Sequence, residues 1–127
     1  MADAIRAGDT DAALALLESS KQCTLEPYTG SEDLAALPHL AELILGSARE
    51  AQQAALGGDG PAAVQALERH RLLTAHRDGA YGTGHWQAGV RRYLAAQLPG
   101  YATDTSPYPG QPLIALRNSD VVSNGEV

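Results

Sequence analysis

Two places in the chain hold residues whose types and spacing could do chemistry. The first is Arg71-Leu72-Leu73-Thr74-Ala75-His76-Arg77, followed by the glycine-rich run Gly79-Ala80-Tyr81-Gly82-Thr83-Gly84. Here a basic pair sits beside backbone that can approach a ligand closely. The second is Trp86 with Arg91-Arg92-Tyr93, an aromatic ring near two adjacent cations. By type alone, the glycine run could cradle a phosphate and Arg91-Arg92 could form a phosphate-contacting edge. Structural readings stand beside these. Arg77 could pair with Asp78, Arg91-Arg92 could be a solvated face, and Trp86 could belong to the core of a chain poor in aromatics.

Other constellations are absent from the sequence. The single lysine, Lys21, has no glycine directly before it, so no Gly-Lys-Ser/Thr loop cradles a nucleotide phosphate. The run at 79–84 lacks the Gly-x-Gly-x-x-Gly spacing of a dinucleotide site. The histidines at 39, 70, 76 and 85 form no His-x-x-x-His pair, and Cys23 is the only cysteine. This pattern offers no zinc site and no internal disulfide, and Cys23 is expected to be a buried, inert thiol in a reducing, cytoplasmic setting. No Ser–His–Asp constellation or nucleophile elbow can be read from the spacing. The expectation is no catalytic residue, no metal and no cofactor held by these residues.

The elements that must position the basic and aromatic groups follow from periodicity. Residues 2–19 read as one helix or two, broken at Gly8-Asp9-Thr10-Asp11, with Asp9 or Thr10 as a cap. Residues 22–28 read as a short strand ended by Pro27. Leu34, Leu37, Leu40, Ile44 and Leu45 have helical spacing and predict a helix over 31–56. Ser31 is a candidate cap, and Pro38 marks a restart. Gly57-Gly58-Asp59-Gly60 stops that helix, and Pro61 begins another reaching about His70. The apolar run 71–77 suits a buried parallel strand, 79–84 a loop, and 85–98 a helix. A loop rich in Pro, Gly and Tyr fills 99–111, a strand is expected at 113–117, and Asn124-Gly125 signals a hairpin turn.

The 127 residues carry a net charge of -6, and 44% are hydrophobic, without a single Phe. Alanine supplies much of that fraction and buries little area per residue, so a thin core is expected. The acidic balance argues against a free-standing nucleic-acid binder while leaving room for a local basic patch. No apolar run approaches a membrane span, and no signal peptide is visible.

Several segments resemble RecD-type helicases of superfamily 1, the family of exodeoxyribonuclease V alpha subunits. Ala2-Asp3-Ala4-Ile5-Arg6-Ala7-Gly8-Asp9 resembles the helix after their motif IV. Residues 67–79, Leu-Glu-Arg-His-Arg-Leu-Leu-Thr-Ala-His-Arg-Asp-Gly, are similar to their Arg-Leu-Leu-Cys-Ala-x-Arg-x-Gly segment, and Ala80-Tyr81-Gly82-Thr83 to the Pro-x-Gly-Val that follows. Tyr108-Pro109-Gly110-Gln111-Pro112 resembles Tyr-x-Gly-Arg-Pro, and Asn118 with Asn124-Gly125-Glu126 resembles the family's Asn-Asp and Asn-Gly-Asp. Departures fall at Ala80, Thr83, Gln87, Gln111 and Ser119, where the family has Pro, Val, Asn, Arg and Asp.

The resemblance implies an α/β fold. Residues 1–98 would be part of the second RecA-like helicase domain, with helices and a few parallel strands. Residues 99–127 would be a linker and the start of an inserted SH3-like β-barrel. It implies a non-catalytic segment of an ATP-driven DNA helicase acting in double-strand break repair and recombination. ATP and Mg would be held by other parts of that protein, and RecB/RecC-like subunits and single-stranded DNA would be its partners. DNA contact would fall at His76, Arg77, Gly79 and Gly82. A chain cut inside a sheet could also dimerise through strand edges. The competing reading is a helical protein-interaction module without DNA or nucleotide binding, based on the echo of Gly8-Asp9 and Gly58-Asp59 before Ala/Leu-rich helices.

Overall fold

The computed structural model describes residues 1–28, 30, 33–101 and 107–113. Among them the chain is mostly helical, with no strand: α1 (Ala2–Ala7), α2 (Thr10–Glu18), a 3-10 turn (Leu34–Ala36), α3 (Pro38–Leu56), α4 (Gly60–Glu68) and α5 (Thr83–Gln97).

Local chemistry sets the helix starts. Asp9 caps α2 by accepting from the Ala12 N–H at 3.0 Å, and Asp59 caps α4 by accepting from the Ala62 N–H at 3.0 Å. Each satisfies a donor that the first helical turn leaves without a partner. Helix α3 begins with Pro38, as the restart reading requires, and Leu37 before it has no side chain that can cap. The missing cap comes from Glu26 instead. Its two carboxylate oxygens accept from the His39 N–H at 2.8 Å and the Leu40 N–H at 2.9 Å. A negative charge there also opposes the positive end of the helix dipole.

The core lies between α3, the 3-10 turn and α5. Leu34, Ala41, Ile44, Ala48, Leu94 and Leu98 are buried together, with Leu40, Leu45, Trp86, Val90, Tyr93 and Tyr101 packed around them. On α3 the buried positions 41, 44, 48, 51 and 52 recur at helical spacing. Helix α4 packs along α3, where small side chains let the two backbones approach, and the Ser47 hydroxyl donates to the Ala66 carbonyl at 2.8 Å. Helices α1 and α2 pack on each other and on no other helix, and neither buries a residue.

Three sequence expectations are corrected. Residues 22–28 form no strand; their role is to carry Glu26 to α3 and Tyr28 to α5. Residues 71–77 form no buried parallel strand either, since no neighbouring strand is described to pair with them. Leu73 is 87% exposed, and the segment's ladder is reduced to a single parallel bridge between His76 and Gly82. Cys23 is exposed, not buried, because the segment carrying it does not enter the core. The Ser31 cap, residues 114–117 of the expected strand, Asn118, and the Asn124-Gly125 turn lie outside the described residues.

Candidate nucleic-acid interface

The loop between α4 and α5 is a tight knot of backbone bonds. The Thr83 N–H reaches the carbonyls of His76 and Arg77, each at 3.1 Å, and the Gly82 N–H donates to the Gly79 carbonyl at 3.0 Å. The Thr74 hydroxyl bonds the His76 carbonyl at 3.1 Å and the Thr83 hydroxyl at 2.9 Å. Gly82 is buried in this knot. A Cβ there would lie 2.6 Å from the Asp78 carbonyl carbon and 2.7 Å from the Arg77 carbonyl oxygen, so the turn itself requires glycine. Gly79 has φ 90, the left-handed region that favours glycine.

His76, Arg77 and Gly79 are exposed on this loop. Among the described residues Arg77 forms no ion pair with Asp78 or any other acid. The loop therefore brings the four sequence-singled residues together, with the backbone of His76 and Arg77 engaged inward and both side chains accessible.

Beside it runs a groove of about 640 Å³. One wall is a single face of α5: Thr83, Trp86, Gln87, Val90 and Arg91, at helical spacing. Tyr101, Tyr108, Gln111 and Pro112 after α5, and Leu72 and Thr74 before it, complete the lining. Trp86 meets Tyr28 with ring centroids 5.0 Å apart and also lines this groove. Tyr28 in turn packs edge-on to Tyr81 and lies 3.1 Å, hydroxyl oxygen to Nε2, from His85. Trp86 thus has the expected core contacts and a surface toward the groove as well.

Tyr101 and Tyr108 meet with ring centroids 4.8 Å apart and planes tilted by 54°. Burial first, then the hydrogen bond and charge of Tyr108, raise the Tyr101 phenol well above its ordinary value, while Arg91 pulls it partly back. The Tyr108 segment is seated by Gly110, whose missing side chain makes room for the backbone of Gln52 on α3. Gln52 is buried, and its amide donates to the Pro99 carbonyl at 2.9 Å.

Sequence reasoning picked out Trp86 and Arg91 but not the opposite wall. The signals there are the Tyr/Pro/Gly-rich composition of 99–111 and the resemblance of Tyr108–Pro112 to the family's Tyr-x-Gly-Arg-Pro, and neither says where the loop docks. Among the described residues no cluster of three His, Cys, Asp or Glu could hold a metal ion, and no helix is long and apolar enough to cross a membrane.

No known family profile matches the chain, and no solved structure matches it. Curated relatives do. The chain is 41% identical over 118 residues, 93% of its length, to proteins from two strains of Mycobacterium tuberculosis named RecBCD enzyme subunit RecD. It is 37% identical over the same share to the protein of that name from Mycolicibacterium smegmatis. The match spans 20% of each of those proteins. Identity at this level over 93% of the chain supports a RecD-type segment, homologous to about one fifth of those subunits.

Proposed function

We propose that the chain works as a segment of a RecD-type subunit of exodeoxyribonuclease V, an ATP-dependent DNA helicase of double-strand break repair and recombination. The observation that carries this is the 37–41% identity to RecD subunits over 93% of the chain. In this reading residues 1–98 are part of the second RecA-like motor domain, and 99–127 lead into an inserted β-barrel. The exposed Leu72-Leu73 stretch then pairs with strands supplied by the remainder of the motor. ATP and Mg bind elsewhere in the parent protein, RecB/RecC-like subunits are its partners, and the complex acts in the cytoplasm. The segment contributes no catalytic group. Its local share is contact with the sugar–phosphate track of single-stranded DNA, at the loop carrying His76, Arg77, Gly79 and Gly82.

One observation favours the second reading, a helical interaction module: among the described residues there are helix pairs and no strand. The 37–41% identity to RecD subunits over 93% of the chain outweighs it, because helical packing alone does not call for that likeness.

The test is direct. The purified chain should hydrolyse no ATP with or without DNA. It should bind labelled single-stranded DNA weakly and with strong salt dependence, and Arg77→Ala should lower that affinity. DNA-stimulated ATP hydrolysis would refute the non-catalytic assignment, and binding indifferent to Arg77 would refute the contact loop.

A further inference from the structure

We infer that the groove between α5 and the Tyr101–Tyr108 pair is a nucleotide subsite, holding one base against Trp86 and the adjoining phosphate on Arg91; this rests on the single-strand reading above. The groove differs from the rest of the surface in its charge. The chain carries 15 acidic and 9 basic residues besides its histidines, yet the groove lining includes one cation, Arg91, and no carboxylate. Among the described residues Arg91 is in no ion pair, so its guanidinium is available to an incoming anion. A phosphate is the anion whose geometry a guanidinium matches with paired donors.

The remainder of the lining suits a planar ring with polar edges. Trp86 is braced by Tyr28, so little motion need be frozen when a base stacks on it. Tyr101 and Tyr108, hydrogen-bonded to each other, line the same groove, Gln111 accepts from the Tyr108 N–H at 3.2 Å, and Gln87 offers an amide that can donate or accept. Stacking with adaptable polar groups, and no fixed hydrogen-bond code, suits binding with little sequence preference. About 640 Å³ exceeds what one nucleotide fills, and the groove is open, so a strand can enter and leave it. Thr74 lines the groove and its hydroxyl bonds the His76 carbonyl at 3.1 Å, so the His76–Arg77 loop adjoins it and would carry the next stretch of backbone.

Trp86 is the chain's only tryptophan; it lines this groove and a second pocket beside Tyr28 and His39, so its quenching is assigned to the groove by its dependence on Arg91. The experiment titrates the full chain with oligothymidylate, reading Trp86 quenching and the anisotropy of a labelled strand together. Saturable quenching that tracks anisotropy is expected. Arg91→Ala should weaken binding roughly tenfold and reduce the salt slope by about one. Arg77→Ala should weaken binding while leaving the depth of quenching at saturation unchanged. Thymidine monophosphate should quench only at far higher concentration, because it lacks the neighbouring backbone; equal potency would assign the groove to free nucleotides and overturn the strand assignment. Anisotropy change without Trp86 quenching, or quenching unaffected by Arg91→Ala, overturns the subsite while leaving the DNA reading standing. No anisotropy change at all removes both. Quenching by a proline-rich peptide but not by oligothymidylate overturns the proposal in favour of a peptide groove. Circular dichroism of each variant separates loss of binding from loss of fold.

Discussion

Gly110 rests against the backbone of Gln52: a Cβ at position 110 would lie 2.8 Å from the Gln52 Cα and 2.9 Å from its nitrogen. Position 110 also has φ 81, which side chains rarely adopt. These two facts tie the Tyr108–Pro112 segment to α3, and that segment is one wall of the groove. Gly110→Ala meets both the clash and the strain, so it should lower stability by about 1–3 kcal/mol. Urea denaturation followed by circular dichroism measures this. An unchanged midpoint would mean that the segment does not dock on Gln52.

Glu26 acts across 13 residues of chain, capping α3 with both carboxylate oxygens. Charge-assisted bonds to helix N-terminal amides are among the stronger capping contacts. Glu26→Ala should cost about 1–2 kcal/mol. Glu18→Ala, at the exposed end of α2, should stay within about 0.5 kcal/mol of the parent. Equal effects of the two substitutions would show that Glu26 is not a cap.

The contrast between these residues explains what could be read from the sequence. Asp9, Pro38, Gly57-Gly58 and Asp59 act on neighbours within a few positions, so the breaks between helices were legible, and so were four of the helices. Glu26 acts at long range, and no local pattern shows it. Strands also depend on distant partners. The apolar run 71–77 has strand-like composition, but among the described residues there is nothing for it to pair with, and it lies exposed. The same holds for the site. The four loop residues and Arg91 were visible as residue types, while the groove exists only because Gly110 and Gln52 bring the Tyr101–Tyr108 pair opposite α5.

Leu73 and Leu94 put the correction of the strand to a numerical test. Leu94 is 2% exposed in the core, and Leu73 is 87% exposed. Leu94→Ala should cost about 2–4 kcal/mol through lost burial and a residual cavity. Leu73→Ser should change stability by less than about 0.5 kcal/mol. A large loss from Leu73→Ser in this chain would restore the buried strand at 71–77 and remove the exposed apolar stretch that the RecD reading assigns to the motor's sheet.

Tyr101 makes stability depend on alkaline pH. Its folded-state value lies above the unfolded one of 10.0, chiefly because burial disfavours the phenolate, with the Tyr108 hydrogen bond adding to this. The folded chain therefore holds a proton that the unfolded chain releases once pH passes 10. The stabilisation from the neutral phenol is complete below that pH and is lost progressively as pH rises above it. Urea midpoints should fall on going from neutral to strongly alkaline buffer. Tyr101→Phe, which has no proton to lose, should flatten part of that fall, and Tyr81→Phe, at an exposed ring, should serve as the comparison. In the parent chain, absorbance at the tyrosinate band should show a component, lost in Tyr101→Phe, that appears only above pH 10. If Tyr101→Phe left the alkaline slope and that component unchanged, burial would not be holding the proton on Tyr101, and the groove lining it shares with Arg91 would have to be redrawn.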